Sequence, residues 1–327
     1  MELDLETFLT ILYVMVDDLY QTRVRPHMPA QGGPAPHLSD SEVLCLALAS
    51  QWRSGVPWKS ERGFLRYAVK HLQPLFPGLT SQSAFNRRVR RLWGAFILIQ
   101  QALAEQLMDA QDCEIMDCVP VPIARGARSF HPGWLADLAR NGKGGNEHYF
   151  YGLHLLLVVA ASGAAVSWTM AAANVQDRWL ADLLFSARSG RPQVTGPRDL
   201  SHPRRLRPPQ DWVGPVQSCG KPSHRPIVAD EGYAGQDWLA HWAADYDVQV
   251  VTMSKSSPNH RWFSSLRQTV ETAFSNLCDS FGLKFPGAHT TWGLLTRIAA
   301  KLAAYNLGIA INRFLQRPDF AFATLIV

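Results

Sequence analysis

Three acidic residues of the 327-residue chain fall where the side chains of an α/β domain converge. Asp117 lies in the short β-type run CEIMDCVPVPI, Asp230 ends the apolar run RPIVAD, and Glu271 lies in SLRQTVETAFSNLCDSFGL, whose pattern predicts a helix. Neighbouring strand ends gather at one edge of a parallel or mixed sheet, and a helix packed across that edge can point a side chain at the same place. Carboxylates from two strands and one helix would therefore meet in a single cleft.

A carboxylate cluster of this kind would repel itself, and so it implies bound cations. Hard oxygen ligands suit Mg²⁺ or Mn²⁺. Two such ions about 4 Å apart activate a water or a DNA 3′-hydroxyl and stabilise the leaving oxygen of a phosphoryl displacement. Spacing alone leaves ordinary structural roles open. Asp230 could cap a helix beginning near Gly235, and Asp117 could simply end a strand. Glu271 could pair on the helix surface with Arg267, four residues earlier.

The elements that would carry these acids follow one another after residue 110. Apolar and β-branched runs predict one strand, then a hairpin turning near 161–163, and then helices alternating with two more strands. A further apolar helix is predicted over residues 292–315. This order is typical of an α/β domain with a mixed sheet flanked by helices.

Residues 1–110 have helical periodicity instead. The segment LSDSEVLCLALASQW begins with a capping-box pattern, in which Ser39 caps and Glu42 follows three residues later. Short helices joined by tight turns, the last opening with a basic cluster, resemble a helix-turn-helix DNA-binding unit. A helical bundle with a solvated basic face fits the same pattern. The cluster consists of Arg87, Arg88, Arg90 and Arg91.

Composition bounds the class of protein. The net charge is +5 and charged residues make up 18%, as in a basic globular protein for which a polyanionic partner is plausible. Five scattered cysteines without a CxxC pair fit a reducing cytoplasm. In the most apolar stretch, 153–173, His154 and the break at Ser162-Gly163 favour two buried strands over a membrane span. We therefore expect a cytoplasmic protein without a membrane partner.

One long segment fits no regular element. Residues 188–225 contain eight basic and two acidic residues and seven prolines. This composition predicts a flexible cationic arm that contacts DNA, with a disordered spacer as the alternative. Its central basic residues are Arg204, Arg205 and Arg207.

Three sequence blocks together resemble the DDE transposases of bacterial insertion sequences, whose catalytic domain has an RNase H-like fold. IMDCVPVPI is similar to the first-strand Asp block, and VADEGYAG to the strand-Asp-x-Gly-Tyr block. RQTVETAFSNL is similar to the third block, an Arg followed four residues later by the catalytic Glu in a helix. The resemblance covers residues 110–315, and the order of the predicted elements agrees with it.

The resemblance implies a transposase with two Mg²⁺ (or Mn²⁺) ions held by Asp117, Asp230 and Glu271. The helical region 1–110 would bind the terminal inverted repeats of the element. The RNase H-like domain 111–315 would cleave the element ends and join their 3′-hydroxyls to target DNA, leaving 316–327 as a tail. By analogy with the family, a homodimer in the synaptic complex is expected, in a bacterial, nucleoid-associated setting.

The resemblance also suggests phosphate contacts, and it is incomplete. Arg267 is retained and would contact a phosphate. Lys255 and Arg261 follow the last strand near the expected site, where phosphate contacts and a solvated loop are the two alternatives. Related transposases often carry a Tyr and a Lys where this chain has Ser264 and Cys278. A metal-dependent nuclease without strand transfer and a non-catalytic DNA-binding protein of transposase origin therefore remain alternatives.

Overall fold

A computed structural model describes residues 2–28, 36–109, 113–123, 135–144, 149–190, 225–252 and 260–326. Most of the predicted cationic arm, including Arg204, Arg205 and Arg207, lies outside the described residues, as does Lys255. The remaining predicted site residues are all described.

The chain forms nine helices and six strands within the described ranges. The helices are α1 (Leu5–Leu19), α2 (Asp40–Ala49), α3 (Glu61–His71), α4 (Gln82–Arg91), α5 (Trp93–Leu107), α6 (Asp177–Ser189), α7 (Gln236–Tyr246), α8 (His260–Asp279) and α9 (Thr291–Phe314). The strands are β1 (Glu114–Pro122), β2 (Arg140–Lys143), β3 (Tyr149–Ala160), β4 (Ala165–Ala172), β5 (Ile227–Ala229) and β6 (Val250–Thr252). The predicted α/β class is confirmed at this level.

Two compact units make up the chain. The helical unit comprises Met1–Leu107, Ser275–Pro286 and Trp292–Val327, and the sheet unit comprises Met108–Phe274 and Gly287–Thr291. This division differs from the predicted boundaries, because most of the chain after Phe274, which is predicted to belong to the α/β domain, packs mainly with the N-terminal helices. Hydrophobic contacts at large sequence separation decide the division, and local periodicity carries no information about them.

Apolar packing holds the helical unit together. The predicted capping box at the start of α2 is present, with the Glu42 N–H donating to Ser39 Oγ and the Ser39 N–H donating to the Glu42 carboxylate. The buried ring of Trp52 packs edge-on against Phe8 and against Phe281, each at 5.0 Å between ring centroids. Among the described residues, α9 is the one helix long and apolar enough to cross a membrane, and 89% of its apolar window is buried within the protein.

The sheet unit is built on β3 and β1. These strands pair antiparallel from Glu114↔Ala160 to Pro122↔Gly152, and β3 also pairs antiparallel with β4 and β2. On its other side β1 pairs parallel with β5, which pairs parallel with β6. The predicted hairpin is therefore confirmed as β3 and β4, whereas the four-residue β2 has no counterpart in the sequence prediction. Helices α6 and α7 pack on the sheet through buried apolar residues such as Leu184 and Trp242.

A buried cluster of charged groups joins α6 to α7. His241 Nε2 lies 2.7 Å from Asp182 Oδ1, and its Nδ1 lies 2.5 Å from Asp245 Oδ2. Burial by itself lowers the pKa of the imidazole, but the hydrogen bonds and charges of the two aspartates outweigh it, so the pKa of His241 lies above its ordinary 6.5. The folded state therefore holds this proton more tightly than the unfolded chain does.

We expect this histidine to make stability fall as the pH is raised. Because the folded pKa is raised, its contribution is fully present below about pH 6.5 and is lost as the pH rises through the folded pKa. Urea midpoints of wild type and His241→Gln should therefore differ more at pH 6 than at pH 8. The difference between the two proteins is the quantity to follow, because buried Lys301, whose pKa is lowered by burial to about 7, acts in the opposite direction. A difference independent of pH would contradict the assignment.

Candidate active site

Asp117 and Asp230 lie at the same edge of the parallel pair β1 and β5. Ile115 of β1 is in register with Val228 of β5. Extending that register by two residues puts Asp117 level with Asp230, which directly follows the end of β5. The shared strand direction therefore brings together two of the three predicted catalytic acids.

Electrostatic coupling shows which other groups belong to this edge. Burial raises the pKa of the Asp117 carboxyl to about 6, although the Cys118 N–H, which donates to its Oδ1 at 2.8 Å, works in the other direction. Repulsion from Asp230 and from Asp177 raises the pKa further, and the positive charge of Arg267 lowers it. We call Asp117 and the three residues whose charges act on it, Asp230, Asp177 and Arg267, the cluster.

Asp230 caps the short 3₁₀ turn Glu231–Tyr233. Its Oδ1 accepts the Gly232 N–H at 2.9 Å, and a Cβ at position 232 would lie only 2.9 Å from that same oxygen. The capping role left open by the sequence is therefore real, but it applies to this turn and not to α7, whose N-cap Gly235 has no side-chain bond. Because the cap uses Oδ1 alone, it does not exclude a ligand on Oδ2.

Tyr233 ties the Asp230 turn to the strand that carries Asp117. The ring is buried, and its hydroxyl donates to Cys118 Sγ at 3.2 Å. Burial raises the pKa of both Tyr233 and Cys118 well above their ordinary values, so both groups stay protonated at neutral pH. This neutral contact fixes the distance between the two acid-bearing segments without adding charge to the cluster.

Asp177, the first residue of α6, belongs to the cluster without having been predicted from the sequence. Its negative charge helps to raise the pKa of Cys118, and its Oδ1 lies 3.5 Å from His154 Nδ1. In the sequence it looks like an ordinary acid in the first turn of a helix, a position that the helix dipole favours. Only the sheet topology, which puts the start of α6 beside β1, reveals its proximity to Asp117.

Glu271 lies one helical turn after Arg267 on α8. Its Oε1 is 3.5 Å from Arg267 Nη2, and both side chains are at least half exposed. This is the surface pairing left open by the sequence. Within the described ranges, no group of three or more His, Cys, Asp or Glu side chains is placed to hold a metal ion. The link between Glu271 and Asp117 is Arg267, which pairs with Glu271 and whose positive charge lowers the pKa of Asp117.

A cleft of about 640 Å³ borders the cluster. Arg178 Nε donates to the Gly232 carbonyl at 2.8 Å, so this cation is anchored to the Asp230 turn. The exposed ring of Tyr149 stands at the same cleft. The combination of cations, an aromatic ring and the edge of a carboxylate cluster suits a nucleic-acid strand. The lining of the cleft includes Lys143, Tyr149, His154, Asp177, Arg178 and Gly232.

The predicted DNA-contacting arginines of α4 divide into two groups. Arg88 is engaged within the protein, since it donates to Asp40 Oδ1 and to the Leu38 carbonyl, each at 2.6 Å. Arg87, Arg90 and Arg91 are exposed, as is Arg261 on α8. Residues 72–81 join α3 to α4, and Leu92 alone separates α4 from α5. Neither connection is the three- to four-residue turn of a helix-turn-helix motif.

Family models, curated proteins and solved structures were all compared with the chain, and none matched. The function is therefore inferred from the geometry of the chain itself.

Proposed function

We propose that the protein is a DNA transposase that cleaves the ends of an insertion sequence and joins the 3′-hydroxyls to target DNA. The observation that carries this proposal is the convergence of Asp117 and Asp230 on two parallel strands, where the charge of Asp230 helps to raise the pKa of the Asp117 carboxyl. A carboxyl whose pKa is raised by burial together with a neighbouring like charge is characteristic of a site that binds cations or protons as part of its function.

The strand order supports an RNase H-like fold for the sheet unit. The order is β4-β3-β1-β5-β6, with β3 antiparallel to both of its neighbours β4 and β1, and with β5 and β6 parallel to β1. In chain order, the antiparallel strands β1, β3 and β4 precede the parallel strands β5 and β6. Asp117 lies on β1 and Asp230 directly follows β5, as expected from the sequence blocks. The short β2 is an addition at the side of β3.

The donor set at this edge suits Mg²⁺ or Mn²⁺ by its chemistry, since carboxylate oxygens are hard ligands and their mutual repulsion is relieved by a divalent cation. Asp117 and Asp230 would hold the metal, and Glu271 is proposed as the third ligand. When bound, two such ions supply Lewis acidity to the attacking hydroxyl and to the leaving oxygen.

The other residues of the site have roles in binding and positioning. Arg267, always charged and able to make two parallel hydrogen bonds, would contact a phosphate beside Asp117. Lys143 and Arg178 would hold the DNA strand along the cleft. The buried contact of Tyr233 with Cys118 keeps the Asp230 turn at a fixed distance from β1. The partners are the terminal repeats and the target DNA, in a homodimeric synaptic complex in the bacterial cytoplasm.

Asp230→Asn tests the proposal. Asparagine keeps an oxygen that accepts the Gly232 N–H, so the turn and the fold should persist while the charge is lost. On linear duplexes that carry the sequences flanking the gene, with Mg²⁺, we expect wild type to cut and join DNA. We expect the variant to lose at least about 100-fold in rate, more than the loss of a partner outside the ligand shell typically causes. Gel analysis of end-labelled strands measures both steps.

The exposed Asp237, in the first turn of α7, provides the matched control, and Asp237→Asn should cut like wild type. A variant Asp230→Asn with undiminished cleavage would show that the residue serves only as a cap. Cutting without joining would identify a nuclease, and DNA binding without cutting by wild type would identify a non-catalytic DNA-binding protein.

A further inference from the structure

Helix α3 carries a row of cations that the proposed active site does not use. Arg62, Arg66 and Lys70 follow one another at intervals of four residues, so they lie on one face of the helix, and all three are exposed. None of them has an ion-pair or hydrogen-bond partner among the residues that the structure describes. We call this row the α3 stripe.

The α3 stripe is held on a fixed support. The opposite face of α3 buries Phe64, Leu65 and Ala68 in the helical unit. Phe64 packs edge-on against the buried Trp58 with ring centroids 4.8 Å apart. The direction in which the stripe faces is therefore set by the core.

The stability of the helix does not account for the stripe. Like charges four residues apart are unfavourable on a helix, by about 0.2–0.5 kcal/mol per pair. Arg62 also lies in the first turn, where the helix dipole disfavours a cation. The neighbouring acid, Glu61, is engaged with Arg297 Nε at 2.9 Å. Of the three cations, Lys70 alone lies in the last turn, where the dipole favours a positive charge.

The arginines of α4 contrast with this row. Arg88, Arg90 and Arg91 lie in the last turn of α4, where the dipole favours cations, and Arg88 is paired with Asp40. A structural explanation therefore exists for much of the positive charge of α4 and, through the same dipole, for Lys70, whereas none exists for Arg62 and Arg66 within the described part of the chain.

We propose that the α3 stripe binds the phosphate backbone of duplex DNA. Eight residues of helix span about 12 Å, and one DNA strand carries three or four phosphates over that length. Flexible cationic side chains without fixed partners suit contacts to phosphates, which position a protein on DNA without reading its sequence. This proposal rests on the proposed function only for the choice of DNA as the polyanion.

The salt dependence of binding tests the stripe directly. Wild type, Arg66→Gln and the triple variant Arg62→Gln/Arg66→Gln/Lys70→Gln are titrated with a fluorescein-labelled 20-base-pair duplex in EDTA, by anisotropy, from 50 to 200 mM salt. Each phosphate contact contributes about −0.9 to the slope of log K against log salt. Over this fourfold salt range, removing one phosphate contact should therefore make the fall in affinity about threefold smaller. We expect the slope to become less steep by the contribution of about one phosphate contact for Arg66→Gln, and by that of about two to three contacts for the triple variant.

The matched control is Arg23→Gln. Arg23 is an exposed arginine of the π-helical turn after α1, it belongs to the same unit, and it pairs with Glu105 at 3.5 Å. This control removes the same charge as Arg66→Gln and should leave the slope unchanged. Thermal unfolding of all the variants verifies that they are folded.

A wild-type slope in the triple variant would overturn the proposal, and so would equal slope changes in Arg66→Gln and Arg23→Gln. Loss of slope on an RNA duplex of the same length but not on DNA would also overturn it, in favour of an RNA surface. Because EDTA removes metal ions, the outcome does not depend on catalysis. A negative cleavage experiment with Asp230→Asn would therefore be distinguishable from evidence that the α3 stripe does not bind DNA.

Discussion

Replacing Asp117 by Asn should abolish metal-dependent DNA cleavage and, at the same time, raise the melting temperature of the metal-free protein. The Asp117 carboxylate is destabilised by burial and by repulsion from Asp230 and Asp177. Asparagine removes the charge and keeps an oxygen that accepts the Cys118 N–H. Because the pKa is raised to about 6 and one pKa unit corresponds to about 1.4 kcal/mol, a gain on the order of 1–3 kcal/mol is expected.

Calorimetry in EDTA, together with the strand-cleavage assay, measures both effects on one preparation. The expected gain corresponds to a shift of a few °C, at about 2–4 °C per kcal/mol for a unit of this size. Asp237→Asn should change neither quantity. A less stable Asp117→Asn protein would show that the carboxylate stabilises β1, and the catalytic assignment would then lose its electrostatic basis.

The largest loss of stability is expected for Arg188→Met. Nη1 of Arg188 lies 2.6 Å from Glu114 Oε2 and Nη2 lies 3.0 Å from Oε1, and both side chains are almost completely buried. Removing one partner leaves an uncompensated buried charge, which costs about 3–5 kcal/mol. Glu114 begins β1, so the loss would fall on the strand that carries Asp117. Chemical denaturation of the purified protein measures the change.

The double variant Glu114→Gln/Arg188→Met separates the ion pair from simple packing. Without the carboxylate there is no unpaired charge, so we expect the double variant to recover a substantial part of the stability that Arg188→Met removes. If Arg188→Met and the double variant are equally destabilised, the loss of stability comes from the packing of the arginine stem. An unaffected single variant would contradict the burial of the pair.

The proximity of Asp117 to Asp230 was predictable from the strand-forming runs that contain them. β1 and β5 are apolar segments, and the rule that neighbouring strands share an edge needs no knowledge of the rest of the chain. The expectation that Asp117 ends its strand is wrong, because β1 continues to Pro122 through its pairing with β3. The hairpin β3–β4 and the capping box of α2 were predictable for the same reason, since each depends on residues close in sequence.

Interactions between distant segments were not predictable. Composition places Arg188 in the cationic arm, yet this residue belongs to the last turn of α6 and pairs with Glu114, 74 residues away. Asp177 and the bond from Tyr233 to Cys118 depend on how α6 and β5 pack against β1. The pairing of Glu271 with Arg267 was visible in the sequence as one of two options, and local spacing does not choose between them.

The helical unit has a consequence for the order in which the protein is synthesised. Its core combines helices from residues 2–107 with the segments 275–286 and 292–326, which the ribosome produces after residues 108–274. Until then the nascent α1 and the loop after α2 leave Phe8 and Trp52 without the ring of Phe281. Residues 108–274 leave the ribosome earlier and contain nearly all of the sheet unit. The unit that begins first in translation is therefore the last to close its core, and we expect the nascent chain to depend on chaperones that cover those aromatic faces until α9 emerges.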